Sequence, residues 1–132
     1  MAKVLELLSD KGTLEIFNAI ANNGNIHGQS LQSMNGFSKK QYYSRTQRLL
    51  TQGLVKRKLG ILSLTSFGQV VYHSKLRLDA AVKEYYRLKA VDSISASKEM
   101  SEEVRKEIIE NIVIDNNIKM ILLGGSLNYL RL

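Results

Sequence analysis

The residues best suited to chemistry in this sequence are seven basic side chains between positions 39 and 58. They are Lys39, Lys40, Arg45, Arg48, Lys56, Arg57 and Lys58. Three uncharged residues with hydrogen-bonding side chains alternate with the first four: Gln41, Ser44 and Gln47. Cationic side chains neutralise phosphates, whereas glutamine and serine can hydrogen-bond to base edges in a DNA groove. The pattern therefore indicates a surface that contacts nucleic acid.

The positive charge of the chain is concentrated in one block. Its 132 residues include 19 Lys and Arg against 12 Asp and Glu, which gives a net charge of +7. Residues 16–78 contain nine basic and no acidic residues, whereas residues 1–15 and 79–132 each carry a net charge of −1. A basic helix face is often only a solvated surface, but a block without any acid favours contact with a polyanion.

Composition argues against several other classes of protein. Apolar residues make up 44% of the chain, which is enough to bury a core and argues against wholesale disorder. Because the chain has no cysteine, a disulfide framework, a thiolate zinc site and a cysteine nucleophile are ruled out. No run approaches the roughly 20 apolar residues of a membrane span, and the N-terminus lacks a signal-peptide pattern. We therefore expect a cytoplasmic protein with no membrane contact, no metal and no cofactor.

The first basic group is predicted to lie on a helix of about residues 39–52. A capping box from Ser38 to Gln41 marks its start, and Phe37 before the cap forms a hydrophobic staple with the fourth helical position. A helical wheel places four residues on the inner face: Tyr42, Thr46, Leu49 and Leu50. The basic and polar residues share the outer face, and Arg45 lies at its edge.

Two lysines of this helix are unfavourable for stability alone. Lys39 and Lys40 occupy the first turn, where the helix dipole disfavours a cation by about 0.3–1 kcal/mol. A bound phosphate would reverse the sign of that cost, which favours a functional reason for both residues. Tyr42 fits the core better than base stacking, whereas Tyr43, at the edge of the outer face, fits both interpretations.

The second basic group lies on a predicted β-hairpin of residues 54–64. Two short β-type runs are joined there through Gly60, which suits the tip of a hairpin. Alternation along the first strand sends Lys56 and Lys58 to one face and Arg57 to the other. The three bases therefore cannot all contact one surface.

Helices are predicted on both sides of this region. Asp10–Asn22 and Gln29–Met34 precede it, and a long helix of about residues 66–91, capped by Thr65, follows it. The long helix carries an apolar seam at alternating spacings of three and four: Phe67, Val71, Leu78, Ala81, Tyr85 and Leu88, with Ser74 in register. Its length of roughly 37 Å exceeds what a small domain needs, so we favour a dimer interface. The alternative is intramolecular core.

Residues 92–132 are predicted to form a separate helical extension. A linker is expected over residues 92–100, followed by an amphipathic helix that Ser101 caps. Val104, Ile108 and Ile112 are predicted to face inward on that helix, and a last helical piece covers about residues 116–123. We expect this extension to assist assembly or to bind an unknown effector or protein partner at residues 101–132.

Three stretches resemble known transcription regulators. VLELLSDKGTLEIFNAIANNG resembles the opening of ArsR-type regulators, and FSKKQYYSRTQRLLTQGLVKR resembles their recognition helix and first wing strand. LSLTSFGQVVY resembles the end of the wing in MarR and PadR regulators and in many small archaeal winged-helix proteins. The resemblance covers about residues 4–91. The chain departs from the family at Thr46, where an aliphatic residue is usual, and lacks the Cys or His pairs of metal-sensing members.

The resemblance implies a fold that is mainly α with a small β-hairpin wing. A winged helix-turn-helix with a long dimerisation helix would occupy residues 1–91, and the helical extension residues 92–132. The third helix would enter the major groove of double-stranded DNA and the wing would lie on the backbone. Base reading is assigned to Gln41, Ser44 and Gln47, and the groove margins to Lys40 and Arg45. The remaining basic residues, Lys39, Arg48 and those of the wing, would neutralise phosphates.

We therefore expect a homodimeric, sequence-specific DNA-binding regulator associated with the nucleoid. The alternative is a winged-helix module that binds protein or RNA and assembles through the C-terminal extension. An enzyme is not expected, because a metal nuclease needs clustered carboxylates and the basic block has none. Gly124 and Gly125 also lack the Lys and Ser/Thr of a phosphate-binding loop.

Overall fold

A computed structural model of the protein describes residues 2–96 and 101–124. The described chain is mainly helical with one small antiparallel sheet. The helices are α1 (Ala2–Ser9), α2 (Lys11–Asn23), α3 (Gly28–Asn35), α4 (Lys39–Thr51), α5 (Ser66–Lys83), α6 (Tyr85–Ala96), α7 (Glu102–Ile112) and α8 (Asn116–Leu122). The strands are β1 (Ile26–His27), β2 (Val55–Lys58) and β3 (Ile61–Leu64). The prediction of a mainly α chain with a small β-hairpin is confirmed.

Contacts divide the chain into two compact units, Met1–Ser74 and Lys75–Leu132. The division falls inside α5. The boundary predicted between residues 91 and 92 lies within α6. Each unit has a hydrophobic core of its own.

The sheet of the first unit has the strand order β1-β3-β2, with both pairings antiparallel. Strands β2 and β3 form the predicted hairpin. Strand β1 was not predicted, because two residues are too few to show alternation. It pairs Ile26 with Leu62 and His27 with Ile61, which joins the segment before α3 to the hairpin.

The first core lies between the sheet and helices α1 to α4. Its fully buried side chains are Ile16, Phe17, Ile20, Leu31, Leu49, Leu54 and Leu62. Helix α2 contributes three of them, Ile16, Phe17 and Ile20, which share one face of the helix. The same spacing on α4 buries Tyr42, Thr46 and Leu49 and leaves Leu50 partly buried, as predicted.

The long helix predicted over residues 66–91 is two helices, α5 and α6, with Glu84 between them. Glu84 N donates to Ala80 O (3.1 Å) and Leu88 N donates to Glu84 O (2.9 Å), so the helical hydrogen-bond spacing continues across the junction. Helix α6 then continues to Ala96. The linker prediction is therefore wrong for residues 92–96, where no glycine or proline stops the helix, and residues 97–100 lie outside the described chain.

The second unit is built around Val91, Ile109, Val113 and Ile118. Helix α7 begins at the predicted cap, with Ser101 Oγ accepting from Val104 N (3.3 Å). Ile108 and Ile112 pack against the core as predicted. The inward position predicted for Val104 is wrong, since its side chain is 45% exposed.

The predicted seam residues have different surroundings. Ala81 and Leu88 pack against the second core, and Val71 packs against the first. Three others are exposed: Phe67 (50%), Leu78 (63%) and Tyr85 (55%). Intramolecular core therefore accounts for half of the seam.

A buried carboxylate joins the helices of the second unit. Glu84 is 4% exposed, and its two carboxylate oxygens accept from Ile114 N (2.7 Å) and Asp115 N (2.9 Å). The carboxylate thereby satisfies two backbone amides in the connection between α7 and α8. A buried acid with such partners is stabilising, whereas unpaired it would be costly.

The start of α5 is fixed against the hairpin by Thr65 and Gly68. Thr65 Oγ1 donates to Gly53 O (2.5 Å) and accepts from Gly68 N (2.9 Å), which confirms the predicted cap. A Cβ at Gly68 would lie 1.9 Å from Leu54 O. Only glycine allows the helix to approach the Leu54 backbone this closely, which explains the glycine in SLTSFG.

We expect Gly68→Ala to lower the free energy of unfolding by about 1–3 kcal/mol or more. The added Cβ would clash with the Leu54 carbonyl oxygen, and a backbone atom cannot relieve the clash by changing rotamer. Urea unfolding at neutral pH measures the change. The matched control is Gln69→Ala at the next, exposed position, which should stay within about 0.5 kcal/mol of wild type. Equal stability of the two variants would contradict the close-approach argument.

Candidate nucleic-acid interface

The predicted basic residues of α4 lie on its solvent-exposed side. Lys39, Lys40, Gln41, Tyr43, Ser44, Gln47 and Arg48 are all exposed. We call this set the α4 outer face. Four of its members, Lys40, Gln41, Ser44 and Arg48, line one shallow groove of about 250 Å³, together with Asp10 and Arg45.

The cations of the α4 outer face have no ion-pair partner among the described residues. Lys39, Lys40 and Arg48 form no ion pair within residues 2–96 and 101–124. The first turn of α4 contains no acidic residue, so both lysines stand at the positive end of the helix dipole. The arrangement is ready to receive an anion.

Arg45, predicted at the groove margin, is held by the protein itself. Its Nε donates to Asp10 Oδ2 (3.0 Å), and its guanidinium lies 5.0 Å from the ring centroid of Phe37. Asp10 Oδ2 also accepts from Thr13 N (3.0 Å) and Thr13 Oγ1 (2.6 Å), so one carboxylate caps α2 and ties it to α4. Nothing local in the sequence signals this pair, because 35 positions separate its members.

Gln41 is engaged in the capping box that the sequence predicts. Its Oε1 accepts from Ser38 N (3.1 Å), while Gln41 N donates to Ser38 Oγ (3.2 Å). Bidentate pairing with adenine would need the same carboxamide oxygen. The sequence already shows this conflict, because the capping box and base reading both need the Gln41 side chain. Ser44 takes no part in capping α4, whereas Gln47 Nε2 donates to Thr51 Oγ1 over a long distance of 3.5 Å.

The three bases of β2 divide as predicted by strand alternation. Arg57 is the register partner of Leu62 and shares its side of the sheet, the side that faces the core and α4. Lys56 is the partner of Ser63, and both line a cavity with His73 of α5 on the other side. Lys58 lies on the same side as Lys56. Of the three, Arg57 alone therefore shares a side with α4.

The hairpin tip is strained. Leu59 and Gly60 both have positive φ (53° and 76°), as a two-residue primed turn requires. Leucine is disfavoured in this conformation, and the Leu59 side chain is 90% exposed. An asparagine there would remove both penalties.

The structure shows two further absences within its described residues. No group of three or more His, Cys, Asp or Glu residues lies close enough to hold a metal ion in these ranges. No described helix combines the length and apolar character needed to cross a membrane.

Comparison of the chain with family models, curated proteins and solved structures found no match.

The Asp10–Arg45 contact makes stability depend on pH. Hydrogen bonds from Thr13 and then Arg45 lower the pKa of Asp10 from 3.8 to about 2. Because the pKa is lower in the folded state, the ionised Asp10 carboxylate stabilises the fold above pH 3.8. This stabilisation is lost as the pH falls to about 2. We expect Asp10→Asn, which keeps a capping side chain, to be less stable than wild type at pH 6–7 but not near pH 2.

Urea unfolding of both proteins across this pH range measures the difference. The matched control is Asp79→Asn, which removes the exposed carboxylate of the Lys75–Asp79 pair (3.0 Å) and should change stability little at any pH. A wild-type advantage that persists unchanged to pH 2 would contradict the role assigned to the Asp10 charge.

Proposed function

We propose that the first unit is a winged helix-turn-helix that binds double-stranded DNA and that the protein acts as a transcription regulator. The observation that carries the proposal is the exposed row of cations without ion pairs on the α4 outer face. The strand order β1-β3-β2 around helices α2, α3 and α4 supports it, since a winged helix has this arrangement. In such a fold α4 enters the major groove and the hairpin acts as the wing.

The roles of the residues follow from their surroundings. Lys39, Lys40 and Arg48 contact phosphates, because they are exposed and form no ion pair with another described residue. Ser44 and Gln47 read base edges. Two further residues take structural roles: Arg45 positions α4 through Asp10, and Gln41 completes the cap of α4.

The wing contributes unequally to this surface. Arg57 shares a side of the sheet with α4 and contacts the backbone beside it. Lys56 and Lys58 point to the other side of the hairpin and add long-range attraction. Together these charges steer the duplex, whereas sequence preference comes from α4.

We also propose a homodimer that uses a stripe of the second unit, Leu78, Val82 and Tyr85. Their exposed fractions are 63%, 69% and 55%. Spacings of four and three residues place them on one helical face, and a two-fold axis sets such a face against itself. A second copy is therefore the natural occupant, and a dimer would present two α4 helices to a pseudo-palindromic site.

The alternative, a module that binds protein or RNA through the second unit, has one supporting observation. Ile114, Met120 and Ile121 are exposed by 66%, 40% and 53% on the segment around α8. An effector or partner at residues 101–132 stays a prediction, and residues 125–132 of that range lie outside the described chain. Tight binding of RNA or protein with weak, unselective binding of DNA would favour this alternative.

The first test compares Arg48→Ala with Ser44→Ala, which alter neighbouring positions of one groove. Arg48→Ala should weaken binding to all duplexes alike and lower the slope of log K against log salt by about 0.9. Ser44→Ala should keep the slope and change the preferred sequence. Selection from random duplexes, followed by titration from about 50 to 200 mM salt, measures both effects.

The control is Lys106→Ala on α7, an exposed base outside the basic block, which should change neither slope nor preference. Wild-type binding that does not depend on salt would contradict the proposed function. Identical behaviour of Arg48→Ala and Ser44→Ala would contradict the division into phosphate and base contacts.

The dimer is tested by Leu78→Glu, which places a charge in the stripe and should give a monomer. Sedimentation equilibrium measures the mass. Leu5→Glu is the matched control, because Leu5 on α1 has a similar exposed fraction of 59% and lies outside the stripe. A monomeric wild type, or a dimer that survives Leu78→Glu, would contradict this interface.

A further inference from the structure

A cleft of about 690 Å³ opens in the first unit between α3, α4 and the wing. We call it the α3 cleft. The lining residues that matter here are His27, Gln29, Ser30, Tyr42, Tyr43 and Arg57. Its volume falls in the range of small-molecule sites, about 300–1,000 Å³. Among these lining residues, only Arg57 has a role in the DNA binding proposed above.

The N-terminus of α3 places two uncapped residues, Gln29 and Ser30, in the lining of this cleft. His27 is the N-cap and makes no side-chain capping bond. Gly28 N donates to Gly60 O (3.1 Å). The amides of Gln29 and Ser30 lie in the first turn, ahead of the intrahelical hydrogen-bond ladder, and no side chain caps them. Serine or aspartate at the cap would satisfy them and stabilise the protein by about 0.5–2 kcal/mol, so the histidine leaves an anion-binding end open.

The Tyr42 hydroxyl is a second, independent sign of a ligand. Tyr42 is 2% exposed, and its Oη has no hydrogen-bond partner among the described residues. A Cβ at Gly28 would lie 3.0 Å from Oη, so the hydroxyl stands beside the first residue of α3. Buried hydroxyls almost always have a partner, and Tyr42 lines the cleft.

The third donor is the Arg57 guanidinium. Arg57 lies on the side of the sheet that faces α4 and forms no ion pair within the described residues. Backbone amides, a phenol and a guanidinium thus converge without any acidic residue in the lining of the cleft. A tetrahedral phosphate accepts from several such donors at once.

We propose that the α3 cleft binds a phosphate ester. The phosphate lies against the amides of Gln29 and Ser30, with Tyr42 Oη and Arg57 as further donors. The cleft is too large for a bare ion, and the half-exposed ring of Tyr43 offers a stacking surface to a planar group on the ester. The ester is either a free mononucleotide or the backbone of DNA, and only the second source rests on the proposed function.

Two-dimensional amide NMR of the full chain tests the site with three probes. Adenosine 5′-monophosphate is the ester, adenosine is the same molecule without phosphate, and a short duplex of mixed sequence supplies backbone phosphates. We expect the Gln29 and Ser30 amide signals to shift with the monophosphate or the duplex, and not with adenosine.

Two variants keep the fold while removing the site. Tyr42→Phe deletes an unpaired hydroxyl, so it should leave thermal stability unchanged or higher and weaken phosphate binding about tenfold. His27→Asp supplies the missing cap, so it should raise the melting temperature and abolish binding. Lys58→Gln, on the other side of β2, is the control and should bind the monophosphate as wild type does.

Shifts with the monophosphate that both variants lose would support a small-molecule site. Shifts with the duplex alone, lost in the same way, would support a DNA backbone contact. The proposal is overturned if the two amides respond to neither phosphate, or if both variants bind as wild type does. Failure of this proposal can be distinguished from failure of the proposed function. The proposed function fails if DNA binding does not depend on salt, and that result does not depend on the Gln29 and Ser30 amide signals.

Discussion

The ion pair between Asp10 and Arg45 is the contact on which the α4 outer face depends. The carboxylate begins α2 by accepting from Thr13 and holds α4 by accepting from Arg45 Nε (3.0 Å). Gly12 leaves room for this contact, because a Cβ there would lie 2.5 Å from the same Nε. The rotation of α4 about its axis is thereby set, with Tyr42 turned inward. Arg45 is thus bound within the protein, and its contact holds the other basic residues of α4 outward in a fixed arrangement.

Local signals predicted the elements that present the site. The capping box at Ser38 and the cap at Thr65 lie where the sequence places them, because each depends on residues three positions apart. The signals failed where distant residues decide. The partner of Arg45 lies 35 positions away, and strand β1 exists only because the hairpin offers an edge to Ile26 and His27.

The long helix shows the same limit. Its heptad spacing is real, but spacing alone does not say what covers each residue. Ala81 and Leu88 meet the second core, whereas Leu78 and Tyr85 meet solvent. The decisive residue, Glu84, follows Lys83 in the sequence, and nothing nearby indicates that its carboxylate binds the Ile114 and Asp115 amides.

Several features that weaken the fold occur in the α3, α4 and wing region. Lys39 and Lys40 oppose the dipole of α4, His27 leaves α3 uncapped, and Leu59 holds a positive φ. Each has a common substitution that would stabilise the protein: an acid, a serine and an asparagine in turn. Sequences usually agree with their folds at every level, and the exceptions gather at functional sites. The second unit has the opposite character. Several of its acids are used within the unit, as Glu84, Glu110 and Asp115 are. The excess positive charge of the chain lies in the first unit, and a polyanion is the partner that such an imbalance favours.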